Sequence, residues 1–178
     1  MLVMNAPEIS APRQRRVNRK RHASPNLFPC TFRGYKTDMS GHIRRARLDE
    51  RPRITEIRLA VRENRLMDPS RVTDADYQWF SDNPGIWVWE EHGCILGFSA
   101  ADTRDGTIWA LFIDPDHEGR GIGRALLRKA CDVLRDAGHG HATLGTEPGS
   151  RADGFYRQAG WVPLHIDKRG EQILRLDL

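Results

Sequence analysis

Three glycines at alternate positions, Gly119, Gly121 and Gly123, follow a run of strand-forming residues, Thr107 to Ile113, and a turn at Asp114-Pro115. An amphipathic helix is predicted from Gly123 onward. A strand, a glycine-rich loop and a helix N-terminus together make an anion cradle. The first N–H groups of a helix have no partner inside it, and the macrodipole adds partial positive charge there. Glycines let the main chain approach a phosphate with no side chain in the way. Arg120 and Arg124 could add charge-assisted contacts. Two familiar phosphate loops fail the spacing. A P-loop needs Gly-Lys-Ser/Thr at its end, and this loop ends Gly123-Arg124-Ala125. A dinucleotide fingerprint needs a third glycine where Arg124 or Leu126 stands.

A second segment, Ala152-Asp-Gly-Phe155-Tyr156-Arg-Gln-Ala-Gly160-Trp161, lies about one helix and one strand further on. With it, the loop resembles the acetyl-CoA signature of the GNAT N-acetyltransferases, Gln/Arg-x-x-Gly-x-Gly/Ala, read here as Glu118-Gly119-Arg120-Gly121-Ile122-Gly123. The later stretch is similar to that family's Ala-x-x-Phe-Tyr-x-x-x-Gly-Phe. Trp161 takes the final aromatic place, and Gly149 stands where the family often has asparagine. Glu118 departs from the first position and sets a carboxylate near the expected pyrophosphate, so it is expected to point away. The matches span roughly residues 105 to 165.

The resemblance implies an α/β acyl-CoA N-acyltransferase fold. Its mixed central sheet is flanked by helices, and two parallel strands, here Ile108–Ile113 and Ala142–Thr146, splay apart at their C-terminal ends. It implies that main-chain groups of Leu111, Phe112 and Ile113 contact pantetheine and the acetyl carbonyl. The loop Glu118, Gly119, Arg120, Gly121, Ile122, Gly123 and Arg124 would hold the pyrophosphate. The implied reaction is attack of a neutral primary amine, on a small-molecule acceptor, at the acetyl-CoA thioester. A main-chain donor faces the developing oxyanion. Tyr156 would protonate the leaving thiolate, since an ordinary phenol, with pKa about 10, keeps its proton at neutral pH. Tyr156 also reads simply as a packing residue. Glu147, after the second parallel strand, is the first candidate base. Glu63, Glu90 and Glu91 follow it, though each also reads as a solvated surface carboxylate, and a water chain could serve instead. Arg62-Glu63-Asn64 and the tryptophans Trp87, Trp89 and Trp109 are candidates for the acceptor pocket, the tryptophans reading equally as core. The competing function is a CoA-binding sensor or structural module without turnover. Family members are frequently dimers, so a homodimer is a further expectation.

The elements that must position these residues follow from patterning. Strands are expected at His42–Leu48, Gly85–Glu91, Cys94–Asp102, Thr107–Ile113 and Ala142–Thr146, with last strands near Val162–Ile166 and Ile173–Leu176. Helices are expected at Glu50–Arg65, with Ile54, Ile57, Leu59, Ala60 and Val61 as an imperfect apolar face, and after the N-cap Thr73. A third runs from Gly123 to a stop at Gly138, with Ile122, Leu126, Leu127, Ala130, Val133 and Leu134 on one face. A short one covers Asp153–Gln158, and His92-Gly93 reads as a hairpin turn. From patterning alone this is a mixed α/β domain.

Composition narrows the classes. The 178 residues, 39% hydrophobic and 29% charged, favour one globular domain. No apolar run reaches the length of a membrane span. Cys30, Cys94 and Cys131 are odd in number and widely spaced, which suggests a reducing, cytoplasmic compartment and no metal site. The seven histidines also lack ligand spacing, and His139 and His141 read as loop residues. The net charge of +4 hides an asymmetry: residues 1–38 hold eight Lys/Arg against two acids, which leaves residues 39–178 at −2. Nucleic acid is therefore not expected as a partner of the domain. The chain divides into a basic, disordered extension, 1–38, and a domain, 39–178. The extension reads three ways: a basic arm for nucleic acid or anionic lipid, an organelle-targeting segment, or no functional element, with Met39 as the true start. The last is preferred, because 24 Arg against 4 Lys hints at a GC-rich genome.

Overall fold

A computed structural model describes residues 41–61 and 72–178. Seven strands form one sheet: β1 (His42–Arg45), β2 (Ile86–Glu91), β3 (Cys94–Asp102), β4 (Thr107–Ile113), β5 (His141–Thr146), β6 (Val162–Ile166) and β7 (Gln172–Asp177). Their order across the sheet is β1-β2-β3-β4-β5-β7-β6. Only β4 and β5 run parallel; every other neighbouring pair is antiparallel. Helices α1 (Arg51–Ala60) and α2 (Asp74–Asp82) cover one face. Helices α3 (Ile122–Asp136) and α4 (Arg151–Gln158) pack on the other.

The two faces have separate cores because strand side chains alternate. Ile54, Ile57, Phe80, Val88, Phe98 and Phe112 fill the first. Leu111, Leu126, Leu134, Leu144 and Tyr156 fill the second. Among the described residues three bulges interrupt the alternation, one of them at Leu164 of β6 opposite β7. Leu96 is the extra residue of β3 opposite β2, and Trp109 the extra residue of β4 opposite β3. A bulge turns two consecutive side chains to one side. Trp109 and Ala110 accordingly both point toward α1 and α2, while Ile108 and Leu111 point toward α3.

Local chemistry sets several ends. The first strand stops at Arg45 rather than Leu48. Arg47 donates its main-chain N–H to the Glu50 carboxylate (2.8 Å) instead of to a neighbouring strand, and Leu48–Glu50 form a 3-10 turn. Pro52, which lacks an N–H, fits the first turn of α1. That helix ends at Ala60 with Val61 extended, so it is shorter than expected, and residues 62–65 lie outside the described residues. Its buried face also differs. Ile54, Ile57, Arg58 and Val61 follow the i, i+3, i+4, i+7 spacing, whereas Leu59 is 62% exposed. Thr73 caps α2 through the Asp76 N–H (3.2 Å), and the Asp76 carboxylate accepts from the Thr73 N–H (2.8 Å). His92 and Gly93 both take positive φ (51° and 77°), the geometry of a tight hairpin turn. Gly138, at φ 90°, ends α3 as expected. His141 opens β5 rather than lying in a loop.

Candidate functional site

Strands β4 and β5 are in register at a single pair, Thr107 with Thr143, beside a 3.0 Å bond from Thr143 N–H to the Gly106 carbonyl. Beyond that pair, β5 is held along six residues by β7 on its other side. The two parallel strands therefore part toward their C-terminal ends. The main chain of Leu111, Phe112 and Ile113 lies on the β4 arm of this opening; Leu111 and Phe112 are fully buried, on opposite faces of the sheet.

A cleft of about 530 Å³ lies beyond the end of β4, between the start of α3 and α4. Ile113, Glu118, Gly119, Gly121, Ile122, Gly123, Arg124 and Phe155 all line it. Gly119 and Gly121 sit at φ 74° and 82°, and a Cβ on either would meet nothing within 4 Å. Glycine is thus needed there for the left-handed backbone, with open space in front of it. Gly121 is the N-cap of α3, so the free N–H groups of the first helical turn begin at this loop. Gly123 is different: a Cβ there would lie 3.6 Å from Ile113 Cγ1 and from Phe155 Cζ, an ordinary contact.

The charges around the cleft are sorted by pairing. Glu118 accepts a 2.5 Å bond from Arg151 Nη1, so its carboxylate is held by a cation at the rim. Arg120 does not line the cleft; its Nη2 bonds both Glu91 oxygens at 2.8 Å, which holds the Glu91 carboxyl below its ordinary pKa. Arg124 and Arg128, one helical turn apart, both line the cleft with no ion pair among the described residues. Arg128, Arg151 and His117 went unassigned in the sequence, although the i, i+4 step from Arg124 to Arg128 is the spacing that puts two side chains on one helix face.

Asp114, at the exit of β4, anchors the loop. Its carboxylate accepts from Asp116 N–H (3.1 Å) and pairs with Arg53 of α1, whose Nε donates to the Ile95 carbonyl (3.1 Å). Burial is the largest single influence and raises the Asp114 pKa, but the hydrogen bonds from Arg53 and the Asp116 N–H, with the Arg53 charge, together outweigh it and hold the carboxyl below its ordinary 3.8. Asp114→Asn should therefore cost about 1–2 kcal/mol at neutral pH. The wild-type advantage is complete above pH 3.8 and shrinks as the pH falls through the lower, folded value. Urea unfolding of both proteins at pH 7 and pH 3 checks this, and an equal gap at the two pH values would refute it.

Tyr156 lies behind the cleft wall, fully buried, with its ring edge-on to Phe155 (5.3 Å) and Trp161 (5.8 Å). Its hydroxyl has no hydrogen-bond partner among the described residues. Burial, and then nearby Cys131, push the phenol far above its ordinary 10, so Oη stays protonated. Of the candidate bases, Glu90 accepts from Arg44 Nε (2.6 Å) and Glu91 is held by Arg120. Glu63, with Arg62 and Asn64, lies outside the described residues. Glu147 is exposed on the turn after β5 and does not line the cleft. The three tryptophans are divided by the sheet. Trp109 faces α1 and α2, whereas Trp87 and Trp89 face α3, Trp87 lying under the Lys129 ammonium (3.8 Å). Among the described residues no group of three or more His, Cys, Asp or Glu could hold a metal ion.

Comparison with known proteins agrees with this geometry. The model of the acetyltransferase (GNAT) family matches residues 51–161. The mycothiol acetyltransferase of Beutenbergia cavernae is 33% identical over 94 residues, covering 49% of this chain and 31% of that enzyme. The L-amino acid N-acyltransferase MnaT of Escherichia coli is 35% identical over 74 residues, covering 38% of this chain and 43% of that enzyme. The chain matches less than half of the length of such curated relatives. Among solved structures, yncA of Salmonella typhimurium, with its cofactor acetyl-CoA, superimposes with a TM-score of 0.62 at 22% identity over 78% of this chain and 94% of that one. At that identity the likeness establishes the fold, a mixed sheet of seven strands with flanking helices.

Proposed function

The chain belongs to the acetyltransferase (GNAT) family, and from that premise we propose that it moves the acetyl group of acetyl-CoA to the primary amine of a small acceptor. The observation that carries the reading is the parting of β4 and β5, with β4 leading into a glycine loop that opens onto a helix N-terminus. When bound, acetyl-CoA supplies an activated acyl thioester. The residues present suit such a molecule. The Gly119 and Gly121 backbone leaves room for a pyrophosphate at the free N–H groups of α3, and the guanidinium groups of Arg124 and Arg128 face the same cleft. Arg120 contributes its main chain only, its side chain being bound to Glu91. The unregistered edge of β4 at Leu111, Phe112 and Ile113 offers main-chain groups to an extended pantetheine arm.

Tyr156 holds a proton at Oη, and that hydroxyl is a buried donor in want of an acceptor. A ligand sulfur near the head of the cleft would provide one. Glu147, on the exposed turn after β5, is our first candidate for the base, with a water chain as the alternative. A homodimer is supported by the sheet edge, where β6 leaves Val162, Leu164 and Ile166 each more than half exposed. A cytoplasmic setting is supported by Cys131, a buried thiol in no disulfide among the described residues. Among the described residues no helix is long and apolar enough to cross a membrane.

Incubation of the full chain with acetyl-CoA and a panel of primary amines, followed by thiol release and product mass, tests the reading. Acetylated amine is the expected result. Acetyl-CoA binding with no turnover on any amine would favour the sensor reading.

A further inference from the structure

Three charged side chains are buried among the described residues: Asp102, Asp153 and Arg58. Asp102 is paired with Arg104, and Asp153 with Arg157. Arg58 has no opposite charge among the described residues. It sits on α1, 6% exposed, and faces the sheet. Its Nη1 donates to the Tyr77 hydroxyl (3.1 Å), while Nε and Nη2 have no partner among the described residues. The guanidinium carbon lies 4.9 Å from the Trp109 ring centroid, 5.1 Å from Phe112 and 5.8 Å from Tyr77.

Ring faces offset part of the cost of a buried cation, but an isolated charge in an apolar core is among the most expensive things a fold can hold. Packing alone would be served better by methionine or leucine. The two open donors are also a matched pair. Nε–H and Nη2–H lie on the same edge of the guanidinium and point the same way, the fork that grips both oxygens of a carboxylate. The position is suggestive as well. Trp109 and Phe112 belong to β4, and Ile113, the residue after Phe112, lines the cleft on the opposite face. The bulge at Trp109 is what turns that ring toward Arg58.

We propose that Arg58 is a specificity residue that binds a carboxylate on the acceptor, so that the amine acetylated belongs to an amino acid or a similar amino carboxylate. The proposal rests on the acetyltransferase reading. The acceptor approaches β4 from the α1/α2 face, with its carboxylate on the Nε/Nη2 edge and its amine directed to the opening between β4 and β5.

The test uses the full chain loaded with CoA and two probe sets, the common L-amino acids and their matched primary amides. Binding is read by tryptophan fluorescence, since Trp109 borders the guanidinium, and transfer is read separately with acetyl-CoA. The free acids should bind, and be acetylated, about 10- to 100-fold better than the amides, the range expected for charge-assisted hydrogen bonds. Arg58→Met should erase the discrimination while keeping or raising the melting temperature. Arg58→Lys, which keeps the charge and loses the fork, should restore only part of it. Equal handling of acids and amides by the wild type would overturn the proposal, as would discrimination that survives in Arg58→Met or the absence of binding by every acid. Acid-selective binding through Arg58 with no turnover would uphold the carboxylate site and defeat the acetyltransferase reading. Turnover indifferent to the carboxylate would do the reverse.

Discussion

Replacing Tyr156 with phenylalanine should slow acetyl transfer about a hundredfold, the lower end of what a positioned general acid contributes. The same change should leave the free protein as stable as the wild type or more so, by about 1 kcal/mol. The two effects have opposite signs because the hydroxyl is fully buried with no partner among the described residues, so the fold bears its desolvation without return. Phenylalanine keeps the contacts with Phe155 and Trp161. A tyrosine present only for packing would give the stability gain and no loss of turnover, and that combination would end its assignment as the acid. Alkaline pH gives a second readout. Burial raises both the Cys131 thiol, to about 11 from 9.0, and the Tyr156 phenol above 10.0. Groups whose folded pKa is raised stabilise the fold below their unfolded values and lose that contribution as the pH climbs past them. Wild-type stability should therefore begin to fall above about pH 9, from the ordinary thiol value. Tyr156→Phe should flatten the part of the decline that starts near pH 10.

Gly121→Glu should weaken acetyl-CoA binding at least about a hundredfold. A side chain in the left-handed region costs about 1–2 kcal/mol, and Gly121 is held at φ 82°. The new carboxylate would also stand in open space at the N-terminus of α3, where the phosphates are expected. Strain alone does not account for the expected size. Gly138, at the far end of the same helix, has φ 90° and equally open surroundings. Gly138→Ala should lower the melting temperature by a similar strain and leave acetyl-CoA affinity unchanged. Equal losses of affinity in the two variants, measured by calorimetry, would mean that the loop acts through helix stability rather than by contact.

Much of the fold was legible in local chemistry. The stripe of Ile122, Leu126, Leu127, Ala130 and Leu134, the Thr73 cap and the His92-Gly93 turn each depend on neighbours a few residues away. The glycine loop was legible for the same reason. The parting of β4 and β5 was not legible from patterning and came only through the family resemblance. It depends on β7 pairing along the far edge of β5, and β7 is formed by the last residues of the chain. The bulge at Trp109 was hidden because an unbroken apolar strand carries no sign of which residue is extra. On α1 an arginine reads as solvent-facing and a leucine as core, and the packing reverses both by burying Arg58 and exposing Leu59. The pairing of Arg120 with Glu91 joins residues 29 apart, so local sequence leaves the arginine open to phosphate.

The most direct measurement is calorimetric titration of acetyl-CoA, and then of free CoA, into the full chain. Saturable binding of one molecule per chain at micromolar concentration, competed by CoA, is the expected result. A folded protein that gives no saturable heat with either would contradict the assignment of the cleft at the end of β4, between α3 and α4.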